Sequence, residues 1–166
     1  MTRACDLLHR STHRSVDCGY RRHTALLCWL AAVLAMIPCY AWSACSVSTP
    51  GVDFGGYDPL SGQNTDSAGI LAVNCSLGTV YSIALSSGAG TYVNRNMTAG
   101  TQSLTYNLYT GPARLFVWGD GTAGTATVSG VGIGIMTNVT VYGRIPARQN
   151  VRVGHYVDSI VVTINF

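Results

Sequence analysis

The chain of 166 residues has room for one ordinary domain rather than two. It holds no Lys and no Glu, and its formal charge of +3 lies wholly in residues 1–44, where Arg3, Arg10, Arg14, Arg21 and Arg22 outnumber Asp6 and Asp17. The remainder sets Arg95, Arg114, Arg144, Arg148 and Arg152 against Asp53, Asp58, Asp66, Asp120 and Asp158, so the body is neutral and its charge gives no support for nucleic-acid binding.

The first segment reads as a secretory signal. Arg21, Arg22 and His23 precede an apolar run over residues 24–37, and small residues follow, with Ala41 and Ser43 at the two positions that signal peptidase reads if the cut falls after Ser43. The apolar core is short of the ~20 residues that a membrane-spanning helix needs, so no membrane span is expected in the mature chain. A twin-arginine signal fits poorly with Tyr20 and His23 as neighbours, and a lipoprotein signal fits poorly with Trp42 where an aliphatic residue belongs. The domain division is therefore residues 1–43 as leader and 44–166 as the mature domain. Cleavage removes Cys5, Cys18, Cys28 and Cys39 and leaves Cys45 and Cys75, which in an exported chain read as one disulfide.

Residues 45–54 begin as a strand, broken at Pro50-Gly51, and Gly55 to Pro59 turn it. A polar loop over 60–67 leads to strands at 69–75 and 80–85. A Gly/Ser/Asn-rich loop over 86–100 carries Arg95-Asn96-Met97, and Leu104, Tyr106 and Leu108 alternate in a strand at 103–109. Gly111-Pro112 turns into 115–118. Gly119-Asp120-Gly121 then supplies a tight turn in which both glycines are expected at positive φ. Shorter strands follow at 125–128, 139–145 and 151–153. The last thirteen residues, 154–166, read as one half-buried strand: Tyr156, Ile160, Val162, Ile164 and Phe166 share one register, interrupted only by Asp158, while Val157, Ser159, Val161, Thr163 and Asn165 take the other. Many short strands joined by Gly/Pro turns, with no helical period, predict an all-β sandwich.

Little in this body points to catalysis, and no enzyme, metal or cofactor is expected. The aspartates other than Asp158 fall in or beside turns, where local hydrogen bonding is their usual work. His155 sits in a Gly-His-Tyr corner with no nucleophile motif to serve. Gly130 to Gly134 imitates a phosphate loop but has neither the Lys nor the helix that one requires. Trp118, Tyr106, Tyr109 and Tyr142 offer an aromatic platform for a sugar, which keeps a self-standing carbohydrate-binding sandwich as the alternative function. A membrane barrel is disfavoured, because residues 45–166 do not supply eight strands of about ten residues.

Set out in order, Cys45, Phe54 to Pro59, Cys75, Arg95-Asn96-Met97, residues 104–109, Trp118 to Gly121, Tyr142 to Pro146 and residues 154–158 make the chain similar to the spore coat protein U domain family. That family includes secreted pilus and tip subunits of the archaic chaperone-usher pathway. The resemblance implies an immunoglobulin-like sandwich lacking one strand, completed first by a periplasmic chaperone and then, after passage through an outer-membrane usher, by a strand of a sister subunit. It implies a surface pilus or coat as the destination, with roles in attachment and biofilm. Tyr156, Ile160, Val162, Ile164 and Phe166 become the expected edge for chaperone or donor strand. Polymerising subunits carry an alternating apolar extension before the first cysteine. Only Ala44 would precede Cys45 after cleavage, and this departure from the family pattern leads to the expectation of a strand acceptor that does not donate, as a tip or minor subunit would be.

Overall fold

The computed structural model describes residues 44–166; the leader and its cysteines lie outside the described residues. Eight strands form in chain order: β1 (Cys45–Ser48), β2 (Thr65–Cys75), β3 (Val80–Leu85), β4 (Arg95–Ala99), β5 (Gln102–Tyr109), β6 (Val128–Val131), β7 (Met136–Ile145) and β8 (Val162–Asn165). They pair antiparallel in two sheets, one ordered β1-β2-β7-β5-β4 and the other β6-β3-β8. This is the all-β sandwich expected from the strand pattern, of the immunoglobulin-like kind that the family resemblance implies. In that order β8 is an edge strand of the smaller sheet. Among the described residues nothing pairs with that outer edge of β8.

Strands β2 and β7 are the spine of the larger sheet, in register from Thr65↔Ile145 to Asn74↔Met136. Because side chains alternate across a strand, Leu71, Val73 and Cys75 of β2 face inward together with Val141 and Ile145 of β7. Leu104, Tyr106 and Leu108 of β5 continue that layer, and Tyr81, Ile83 and Leu85 of β3 meet it from the smaller sheet. Fully burying a side chain of this size contributes roughly 1.5–3 kcal/mol, which makes this layer the main source of stability. Trp118 closes it. Its indole donates to the Ile83 carbonyl at 2.9 Å, its own amide donates to Leu108 at 2.9 Å, and Leu85 N–H donates to Gly119 O at 3.0 Å, so residues 117–119 bridge the two sheets. At one end, Cys45 lies opposite Cys75 in the β1–β2 register, with 4.1 Å between Cα atoms, and the expected disulfide joins them.

Several local expectations are corrected. β2 starts at Thr65 rather than at residue 69, because Asp66 lies opposite Arg144 in the ladder and accepts two hydrogen bonds from its guanidinium, at 2.7 and 2.8 Å. Asp66 is therefore a strand residue and not a turn residue. The region expected as one loop over 86–100 contains β4, whose Arg95 and Met97 point inward. Residues 115–118 make isolated bridges, Tyr109↔Val117 and Trp118↔Ala126, instead of a strand. Residues 151–153 form none either: Val151 N–H turns back to Gln149 O at 3.0 Å. In the Gly119-Asp120-Gly121 turn only Gly121 has positive φ, at 88°. Gly119 is needed for space, since a Cβ there would run into Thr125.

The largest correction concerns the last thirteen residues. They do not form one strand. Val157 bridges Thr98 of β4 through two backbone bonds of 2.8 and 3.1 Å, whereas Ser86 N–H donates to Val161 O at 3.0 Å and residues 162–165 pair with β3. The segment thus crosses from the larger sheet to the smaller. Asp158 explains the crossing: its carboxylate turns inward to accept from the Tyr106 hydroxyl at 2.7 Å and the Ala89 amide at 3.0 Å, and these bonds replace ladder pairing there.

Candidate functional site: an open groove along the sandwich edge

The sheet switch leaves a groove beside the free edge of β8. One wall is the segment 49–54, which leaves β1 at Pro50-Gly51 and has no ladder partner; the other is 155–162. The floor is apolar, made by Leu71, Leu85, Met97, Leu108 and Val141, and the groove has a volume of 380 Å³. A second hollow of 390 Å³ adjoins it, sharing Val52, Phe54, Met97 and Tyr156 and extending past Tyr57 to Val151. The core of the protein therefore reaches the surface along one side, beside an unpaired strand edge.

Each wall is held by identifiable bonds. Asp53 caps the Gly55 amide at 2.8 Å, and the Ser67 hydroxyl donates to the Asp53 carbonyl. The Tyr57 hydroxyl donates to Pro146 O at 3.1 Å and accepts from Gln149 N–H at 2.7 Å. On the opposite side, Val161 N–H donates to the Ser86 hydroxyl at 2.9 Å. Ser86 is fixed in turn by Arg95, whose Nε and Nη2 donate to its carbonyl at 3.0 and 2.8 Å.

Arg95 is 0% exposed, and among the described residues no carboxylate forms an ion pair with it. Its remaining bonds go to Asn107 Oδ1 at 2.6 Å and Trp118 O at 2.7 Å, and the Tyr92 ring lies 5.5 Å from its guanidinium carbon. Burial pulls its pKa below the usual arginine value, opposed by the nearby Tyr106, Tyr92 and Asp158. Burial likewise pushes the Tyr106 phenol well above its ordinary range, reinforced by its bond to Asp158.

Of the residues expected at an edge, Tyr156, Ile160 and Val162 line the groove, half-buried, and Ile164 packs on the core beyond it. Phe166 is 60% exposed at the chain end. Val52, Phe54, Leu71, Leu85, Leu108 and Val141 also line it, although the sequence did not mark them as part of an edge. Alternation marks the four strand residues among them as core, but that they face an opening depends on which edges lack partners. The arrangement of the aspartates offers no catalytic pair: Asp53, Asp58 and Asp120 each accept a backbone N–H two residues on. Asp66 holds Arg144 and, at 3.2 Å, Arg114. No cluster of three or more potential metal ligands occurs among the described residues. The four-aromatic sugar platform does not form, because Trp118 and Tyr106 are core residues while Tyr109 and Tyr142 pair across strands on the outer face.

The pole that carries the disulfide has a different character. The turn at 76–79 and the loop at 132–135 are bonded together, Gly78 N–H to Gly132 O at 2.8 Å and Gly132 N–H to Thr79 O at 2.7 Å. They expose Leu77, Val80, Val131, Ile133, Ile135 and Met136, and no charged residue occurs between Thr122 and Gly143.

Comparison with known proteins bears on this geometry. A family model for the Spore Coat Protein U domain matches residues 31–163. Protein U of Myxococcus xanthus is 35% identical over 143 residues, covering 74% of this chain and 78% of that protein. Among solved structures, the chaperone–tip adhesion subunit pre-assembly complex CsuC–CsuE, from the archaic chaperone-usher Csu pili of Acinetobacter baumannii, contains a chain similar in fold. The TM-score is 0.55 at 20% identity, and the match covers 75% of this chain and 40% of that one.

Proposed function

The chain belongs to the Spore Coat Protein U domain family, and on that premise we propose that it is a secreted structural and adhesive subunit of a surface pilus or coat, assembled by donor-strand complementation. The observation that carries this reading is the groove: an apolar floor open to solvent beside the unpaired edge of β8. A strand inserted there gains backbone pairing along β8 and buries alternate side chains against Leu71, Leu85, Leu108 and Val141. Four or five such side chains contribute on the order of 10 kcal/mol. Left open, the same edge invites aggregation, so a periplasmic chaperone is the first partner, followed by an outer-membrane usher and sister subunits. That the structurally similar chain was captured as a chaperone–subunit complex supports the first of these partners.

Residues 1–43 act as the export leader and 44–166 as the mature domain. Cleavage after Ser43 leaves Ala44 alone ahead of Cys45, with no alternating extension to insert into a neighbour. The subunit therefore accepts a strand without donating one, which fits a tip or minor position. The uncharged apolar pole of Leu77, Ile133 and Ile135 supplies its contact surface for attachment and biofilm, since exposed apolar patches of this kind mark interaction sites. No enzymatic role is proposed.

The test is to mix the purified protein with peptides of alternating apolar sequence and with sister subunits. Stable one-to-one complexes are expected, with Val162 and Ile164 amides newly protected from hydrogen exchange. Failure of every peptide and subunit to bind refutes strand acceptance, and self-polymerisation through its own N-terminus refutes the acceptor-only role.

A further inference from the structure

Where the first groove wall crosses the larger sheet, the inward side chains are small: Ser67 and Gly69 on β2, and Gly143 on β7. Neither glycine has positive φ, so backbone conformation does not require them. Glycine inside a strand weakens it and marks a place where other groups approach closely. Here the approach is visible. A Cβ on Gly69 would collide with the Gly51 carbonyl oxygen and lie 2.8 Å from a Val52 methyl. A Cβ on Gly143 would lie 2.6 and 2.8 Å from two carbons of the Phe54 ring and 3.1 Å from Val52. The Ser67 hydroxyl holds the Asp53 carbonyl between them, and the Phe54 ring meets Tyr106 edge-on with 5.8 Å between centroids. The wall is thus sunk into a hollow in the sheet, and the same Val52 and Phe54 line the open groove on their other side.

We infer that Ser67, Gly69 and Gly143 form a seat that sets the depth of the groove, and so determines the size of side chain that an inserted strand can place there. This rests on the reading of the groove as a strand acceptor. With the wall seated, Val52 and Phe54 lie low and leave the groove free. Lifted by as little as one methyl, they occupy its volume. The seat is thus a specificity determinant for the donor strand and contributes no surface of its own to the donor.

The experiment uses fluorescent peptides of alternating valine and threonine, scanned so that each valine position in turn carries Ala, Leu or Phe. They are titrated against the disulfide-bonded protein and its Gly143→Ala, Phe54→Ala and Gly143→Ala/Phe54→Ala variants. At the position facing the seat, Gly143→Ala should weaken the Leu and Phe peptides by about tenfold while leaving the Ala peptide within about twofold. Phe54→Ala should shift the preference the opposite way, and the double variant should return toward wild type. Equal shifts for all three peptides, or an unchanged size ranking in Phe54→Ala, overturn the seat while leaving strand acceptance intact. Absence of binding to the unaltered protein overturns strand acceptance and the seat with it. Should Gly143→Ala fail to fold, Phe54→Ala alone decides.

Discussion

Replacing Arg95 with methionine removes a buried cation from a site built of carbonyl oxygens. Methionine fills much of the same volume but leaves Ser86 O without its two guanidinium bonds, Trp118 O without its bond of 2.7 Å, and Asn107 Oδ1 with only the Leu108 amide. Each stranded acceptor costs about 1–3 kcal/mol, and relief from burying the guanidinium offsets part of that, so the net loss is about 3–5 kcal/mol. Against a total stability of roughly 5–15 kcal/mol for a domain, this is a large fraction. Urea denaturation of the oxidised protein should show a lowered midpoint with unchanged slope. The loss should also be spatially specific. Ser86 holds Val161 through both its amide and its hydroxyl, so amides around Val161 should exchange faster than those of β2 and β7. A loss below about 1 kcal/mol, or uniform loss of protection, would refute the assignment of Arg95 as the tie between the core and the groove wall.

The Arg144 hydrogen bond, helped by Arg114, holds the Asp66 carboxyl below its usual range, so its contribution is present above about pH 4 and is lost as pH falls through the lowered value. Asp66→Asn should therefore be less stable than wild type by no more than about 1 kcal/mol at pH 7, because the pair is partly exposed, and the deficit should vanish in acid melts. Cys45→Ser should lose about 3–4 kcal/mol, given the separation of 30 residues, and wild type denatured under reductant should match it. Val162→Asp places a charge in the groove wall and should cut periplasmic yield several-fold or more, whereas Val161→Asp, in the outward register, should accumulate normally; equal yields would remove β8 from the assembly edge.

How much of this was legible beforehand follows from the range of the interactions involved. The inward rows of residues 69–75, 80–85 and 103–109 are readable in the chain because alternation is a property of neighbouring residues and needs no partner to be recognised. Cys45 and Cys75 were readable because the expected cleavage after Ser43 leaves them as the two cysteines of the mature domain. The inward register of Tyr156, Ile160, Val162 and Ile164 holds for the same local reason, although the segment is split between two sheets.

Arg95 shows the limit of that reasoning. A charged residue in a polar stretch reads as loop, and only the convergence of Ser86, Asn107 and Trp118 makes a buried arginine tolerable. Asp66 likewise becomes a strand residue only because Arg144 lies opposite it across a separation of 78 residues. Gly69 and Gly143 fall inside strands expected at 69–75 and 139–145, and only the wall that they receive shows why those positions are glycine. The sequence by itself determined the inward rows of the regularly alternating strands and the joining of Cys45 with Cys75, since these depend on period and composition. The tertiary structure alone decided where the core stays open, because a groove is bounded by an edge that lacks a partner, and pairing between distant strands is not written in any one stretch of chain.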